Sequence, residues 1–134
     1  MKPVLIGESN PYGGDPYYAL VPYPDGCSGH RLCRLVLGLT DDEYMDRFDR
    51  VNLCDGKWSI KSARERADLL RHTHSRHILL GAKVAAAFGV EFKPFEVIQS
   101  LLVLPHPSGL NRMWQEQGAF ERARKAVTAY LESA

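Results

Sequence analysis

At 134 residues, with 45% hydrophobic and 25% charged residues, the chain has the length and composition of one soluble globular domain with a core of its own. A formal net charge of +1 excludes an overall basic field, so a nucleic-acid site has to come from local placement of charge, with modest affinity. Cys27, Cys33 and Cys54 are odd in number and form no Cys-x-x-Cys pair, which argues against a disulfide framework or a four-thiolate metal site and fits reduced thiols in the cytoplasm.

No apolar segment approaches membrane-spanning length, and Met1-Lys2-Pro3 leads almost directly into a strand, leaving no room for a signal peptide. Val4-Leu5-Ile6 reads as a short buried strand that ends at Gly7. Residues 8 to 29 are rich in Pro, Gly and Tyr without helical period, and a loop of that length in a small domain is usually functional. Leu32, Leu35, Val36 and Leu39 recur at helical spacing from His30 onward, and Thr40 with Glu43 spells a capping box for a second short helix. Phe48 to Cys54 reads as the second strand, with Val51 and Leu53 inward.

Ser59 is placed to cap a helix with apolar positions Ile60, Ala63, Ala67 and Leu70. Ile78 to Gly81 reads as strand three, Lys83 to Phe88 as a short alanine-rich helix stopped by Gly89, and Phe95 to Ile98 as an extra strand or β-arm. Leu101 to Leu104 is the fourth strand. A last helix is expected from about Glu116, with Phe120, Ala123, Val127 and Tyr130 or Leu131 on one face. Strands alternating with helices imply an α/β/α domain spanning residues 1–134, with a four-stranded parallel core sheet covered on both faces.

Ligands in such sheets bind in the crevice at the carboxyl ends of the strands. The unusual residues of this chain follow strand ends: Gly7 to Tyr12 after strand one, Asn52 and Asp55 near the end of strand two, and His106 to Arg112 after strand four. Pro107 and Gly109 forbid the last strand from continuing, so the chain turns there, with an imidazole at the start of the turn, an exposed leucine near its tip and a guanidinium just after. One site built by three loops follows, holding amides, an imidazole and tyrosines. Taken singly these residues also have structural readings. Asn10 and Asn52 fit loop caps, His106 a turn histidine, and Tyr17, Tyr18 and Tyr23 packing aromatics. Glu8 and Asp15 fit solvated charge, and Cys54 a small core residue. Arg64, Arg66, Arg71 and Arg76 fit a solvated helix face as well as phosphate contacts, and His72, His74 and His77 lack the spacing of a metal site on one helix face.

Together the loops resemble the uracil-DNA glycosylase superfamily along nearly the whole chain. Asn10-Pro11 is similar to the first motif of its mismatch-specific and single-strand-selective branches. Val21-Pro22-Tyr23 is similar to the segment whose ring stacks on the flipped base. Asn52 resembles the asparagine that reads the uracil edge, His106-Pro107-Ser108 the second motif, and Gly109-Leu110-Asn111-Arg112 the wedge that follows it.

The resemblance implies a monofunctional glycosylase that removes uracil or a related damaged base from DNA, acting as a monomer in the cytoplasm or nucleoid, without metal or cofactor. Asn10 and His106 would be catalytic, Asn10 orienting a water towards C1′ and a neutral His106 stabilising the departing uracil anion at O2. Ser9, Tyr12, Tyr23 and Asn52 would bind the base, with Tyr12 standing against C5 and Asn52 matching O4 and N3–H. Ser108, Gly109, Leu110, Asn111 and Arg112 would form the DNA wedge and phosphate contact. Two other readings stay open: a catalytically silent base- or nucleotide-binding module of the same fold, and a hydrolase of free or modified nucleosides.

Overall fold

A computed structural model describes residues 2–10 and 19–133, with Asn10 described by its backbone alone. Five strands form one sheet in the order β2-β1-β3-β5-β4. They are β1 Val4–Asn10, β2 Asp49–Asp55, β3 His77–Leu80, β4 Val97–Ile98 and β5 Leu101–Leu104. β2, β1, β3 and β5 are mutually parallel, and β4 pairs antiparallel with β5. The four parallel strands expected from the sequence are thus present, and the segment around Val97 adds an antiparallel edge.

The strands are short and apolar because both faces are covered. Alternate residues of each strand enter two separate cores. Val4, Ile6, Val51, Leu53, Leu79 and Val103 pack with Ala63, Ala67 and Leu70 of α3 (Ile60–Leu70) and with Val84 and Ala85 of α4 (Ala82–Ala87). Leu5, Ile78, Leu80, Leu102 and Leu104 pack on the other side. Their partners there include Tyr44 of α2 (Asp41–Arg47) and Ala123 and Val127 of α5 (Ala119–Glu132). Among the described residues no helix is long and apolar enough to cross a membrane.

Local chemistry sets the starts of α2 and α3. Thr40 Oγ1 accepts from Glu43 N–H while the Glu43 carboxylate accepts from Thr40 N–H, the reciprocal box that starts α2. Ser59 Oγ accepts from Ser62 N–H at the start of α3.

Four expectations need correction. β1 does not stop at Gly7 but runs to Asn10, still paired with β2, so Ser9 faces Cys54 and Asn10 faces Asp55 across the ladder. The long connection is correspondingly shorter, because helix begins again at Ser28. The first helix is α1 (Ser28–Arg31) running straight into a π-helical turn over Leu32–Val36. That wider turn shifts the buried face onto Leu32, Cys33 and Val36 and leaves Leu35 exposed. The last helix starts at Ala119, after a 3₁₀ turn over Arg112–Gln115.

Candidate functional site

The strand order creates the site before any side chain is considered. From β1 the chain steps to β2 on one side, then crosses back to β3 on the other, so the sheet has a switch point between β1 and β3. β1 keeps its pairing with β3 only as far as Ile6, while its pairing with β2 continues to Asn10. A cleft of about 880 Å³ opens at this end, lined by Gly7, Glu8 and Ser9 of β1, the segment 19–29, Asn52 of β2, and His106 with Ser108 to Leu110.

The neutral ring of His106 is held in one tautomer. The backbone N–H of Ser108 donates to His106 Nδ1 at 3.2 Å, so that nitrogen is an acceptor and the proton of the neutral ring sits on Nε2. Burial lowers the imidazole pKa from its ordinary 6.5; the Glu8 carboxylate opposes this and Lys83 reinforces it. Nε2 lies 3.5 Å from Glu8 Oε2. Gly81 makes room for the ring, since a Cβ there would stand 3.2 Å from the His106 Cβ.

The loop after His106 is braced from within and from behind. The His106 carbonyl accepts from Asn111 Nδ2 at 3.1 Å and from Trp114 Nε1 at 2.7 Å. Asn111 Oδ1 accepts from Met113 N–H, and Ser108 Oγ accepts from Leu110 N–H. Arg31, from α1, donates through Nε to the Pro107 carbonyl at 3.1 Å. On this scaffold Leu110 is 93% exposed. No packing accounts for a leucine so placed, on a loop so heavily braced.

Asn52 is the second anchor. It is only 6% exposed, it lines the cleft, and the described residues offer its side-chain amide no hydrogen-bond partner. Its polar atoms are open to the cleft rather than sealed from water, so the amide is available to pair with what enters. Gly7, its ladder partner, makes the placement possible, because a Cβ on Gly7 would lie 2.5 Å from Asn52 Oδ1.

The opposite wall is the segment from Ala19 to Gly29. Tyr44 donates its hydroxyl proton to the Leu20 carbonyl at 2.8 Å. A Cβ on Gly29 would meet the Val21 carbonyl at 2.1 Å, so only glycine lets α1 approach this closely. Cys27 caps α1 through Sγ, which accepts from His30 N–H and reaches the Val21 carbonyl. Tyr23 sits on this wall, half exposed.

Of the residues singled out from sequence, Ser9, Tyr23, Asn52, His106, Ser108, Gly109 and Leu110 share the cleft. Asn111 engages both ends of its amide inside its own loop, and Arg112 is exposed on the 3₁₀ turn, outside the cleft lining. Tyr12 and the side chain of Asn10 lie outside the described residues. Glu8, read as solvated charge, instead faces His106 across the cleft. Its signal was available in principle: it stands two residues before Asn10 and, in a strand, on the same face. Arg31, Gly7 and Gly29 carried no comparable local signal.

Two of the three clustered histidines, His74 and His77, are used structurally. His74 Nε2 bonds Asp49 Oδ2 at 2.9 Å, and His77 Nε2 donates to the Leu70 carbonyl at 2.7 Å. Among the described residues no three His, Cys, Asp or Glu groups converge as a metal site. The sequence matches no protein-family model and no curated protein.

Proposed function

We propose that this protein is a monofunctional DNA glycosylase, a three-layer α/β/α domain resembling the uracil-DNA glycosylase superfamily. It would hydrolyse the N-glycosidic bond of uracil or a related damaged base in DNA, as a first step of base-excision repair. The observation that carries this reading is the pairing, in one cleft, of an imidazole whose Nδ1 accepts from Ser108, leaving Nε2–H as the donor of the neutral ring, with an Asn52 amide that has no partner among the described residues.

The chemistry follows from those two groups. A uracil turned out of the strand presents an acceptor at O4 and a donor at N3–H, and one amide supplies the matching donor and acceptor. When the bond from N1 to C1′ breaks, the electron pair goes to the base and the negative charge gathers on O2. A neutral donor fixed in the cleft by the Ser108 bond stabilises that charge with little reorganisation. Water then adds to the oxocarbenium-like sugar at C1′ and its proton leaves to solvent or base. The resemblance assigns the orienting of that water to Asn10. Glu8, on the same strand face, places a carboxylate near the developing cationic sugar. Tyr23 offers a flat face to the base, and Leu110 a wedge for the gap in the stack. Hydrolysis of this kind requires no redox or group-transfer cofactor.

One observation favours a second reading, a binding module without chemistry. The Glu8 carboxylate that stands 3.5 Å from His106 Nε2 also opposes accumulation of negative charge on the base. Incubation with single- and double-stranded uracil oligonucleotides, followed by alkaline cleavage of abasic sites, separates the two. Alkali-labile sites at uracil support the glycosylase; saturable binding with no such sites at enzyme excess supports the module.

A further inference from the structure

Behind the Leu110 loop the side chain of Arg31 is half-buried, its guanidinium 3.6 Å from where a Cβ on Gly109 would stand. Nε donates to the Pro107 carbonyl. The two terminal amino groups have no hydrogen-bond or carboxylate partner among the described residues. Those groups reach solvent beside the loop and are available as donors to a ligand. Bracing a carbonyl does not require the guanidinium's charge. One residue earlier, the His106 carbonyl is braced by two neutral donors, Asn111 Nδ2 and Trp114 Nε1. The π-helical turn that begins at Leu32 directly follows Arg31, so the side chain is carried on a fixed element rather than on a loop.

We infer that Arg31 forms a phosphodiester subsite with the Leu110 loop, binding a backbone phosphate next to the nucleotide whose base enters the cleft. The planar guanidinium keeps Nε on Pro107 while its terminal N–H groups grip two phosphate oxygens. The wedge and the phosphate clamp are then one mechanical unit, since the residue that holds the strand also holds the loop that opens it. This subsite rests on the reading that the cleft takes a base from a nucleic-acid strand, and it goes beyond the sequence-based expectation, which placed the phosphate contact on Arg112.

The test measures binding rather than turnover, using single-stranded oligonucleotides that carry a tetrahydrofuran abasic analogue. The phosphates on its 5′ and 3′ sides are replaced one at a time by uncharged methylphosphonate. Wild type is compared with Arg31→Gln, which keeps a neutral donor for the Pro107 carbonyl and is checked by thermal melting. Arg31→Gln is expected to bind about 10-fold more weakly and to lower the slope of log K against log salt by ~0.7. One of the two methylphosphonates should weaken wild type about 10-fold and leave Arg31→Gln unchanged. Additive losses at both positions, or an unchanged salt slope, overturn the subsite. If wild type cuts uracil but shows no coupling, the subsite fails and the glycosylase reading stands. If it binds with coupling but cuts nothing, the subsite stands and the chemistry fails. Absence of binding to every oligonucleotide removes both.

Discussion

Ser108 donates its backbone N–H to His106 Nδ1, two residues back in the same turn, and so decides which ring nitrogen carries the proton. Protonating the ring would set two N–H groups against each other, which acts with burial to keep the imidazole neutral. Uracil excision is therefore expected to be flat above pH 6.5 and to fall only at some pH below it, as His106 becomes charged and loses the Ser108 bond. Glu8→Gln removes a carboxylate that raises the His106 pKa, so this acid limb should move further down. NMR titration of the ring nitrogens reads the shift directly, and movement in the opposite direction contradicts the geometry. His106→Ala should cut single-turnover cleavage by ~10²–10³ while changing binding of an abasic product much less.

Leu110 is nearly fully exposed, so its truncation separates function from folding. Leu110→Ala should leave the unfolding free energy within ~0.5 kcal/mol of wild type. Activity should fall more on duplex than on single-stranded substrate, because only the duplex has a stacked gap to fill. Equal losses on both substrates reject the wedge.

The strands of this fold were legible because buried parallel strands are apolar runs, as in Leu101 to Leu104, and the capping box at Thr40 was legible because it is local. Gly7 was misread as a terminator. It permits the close approach of Asn52 from the neighbouring strand, a reason that no local window contains. The π-helical turn kept enough of a helical pattern in Leu32 and Val36 to be seen as helix, but not enough to show that Leu35 is outside and Cys33 inside. His106 and Leu110 announced themselves as unusual residues after a strand, and Asn52 as a polar residue inside an apolar one. Arg31 did not, because its partner Pro107 is 76 residues away and an arginine in a helix is unremarkable by itself.

The β4–β5 hairpin turns through Gln99 and Ser100, both with positive φ, at 52° and 68°. Two consecutive left-handed residues form the turn type that favours Asn-Gly, and neither Gln nor Ser is at ease there. The Tyr130 hydroxyl donates to the Ser100 carbonyl at 2.6 Å and holds the turn in place. Replacing Gln99-Ser100 by Asn-Gly should stabilise the domain by about 1 kcal/mol in denaturant unfolding. A loss of stability would show that the two side chains contribute more than their backbone strain costs.

His77 gives the fold a defined acid sensitivity. Burial lowers its pKa from 6.5, with its bond to the Leu70 carbonyl opposing and His74 and Arg71 reinforcing the shift. The folded state holds the ring neutral, whereas the unfolded chain takes up a proton as pH falls through 6.5. The stability it contributes is therefore fully present above pH 6.5 and declines from there towards its folded pKa, with a limiting slope of about 1.4 kcal/mol per pH unit for one such group. Urea melts between pH 5 and 8 should show this slope, and His77→Gln, which keeps a donor for Leu70, should flatten it. His106 adds to the same trend in wild type, so the difference between the two proteins is the quantity that counts.

The last test concerns how the cleft tells one base from another. Gly7 and Asn52 are ladder partners on adjacent parallel strands, so neither backbone can retreat without breaking the sheet. Gly7 lies within β1 with no positive φ, so alanine is acceptable to its backbone. Its new methyl group would stand 2.5 Å from Asn52 Oδ1 and 3.4 Å from Leu20 Cδ1. The amide is the part that can move, and it must turn away from the position where it meets O4 and N3–H of uracil. Gly7→Ala is therefore expected to lower uracil excision by ~10- to 100-fold and to erode discrimination against cytosine, with folding stability reduced by only ~1–2 kcal/mol. Asn52→Ala should produce a similar loss by removing the amide outright. Because both changes act through one side chain, the double variant should be little worse than either single one. Fully additive losses, or a Gly7→Ala protein that still prefers uracil over cytosine as wild type does, would show that the Asn52 amide is not what reads the base.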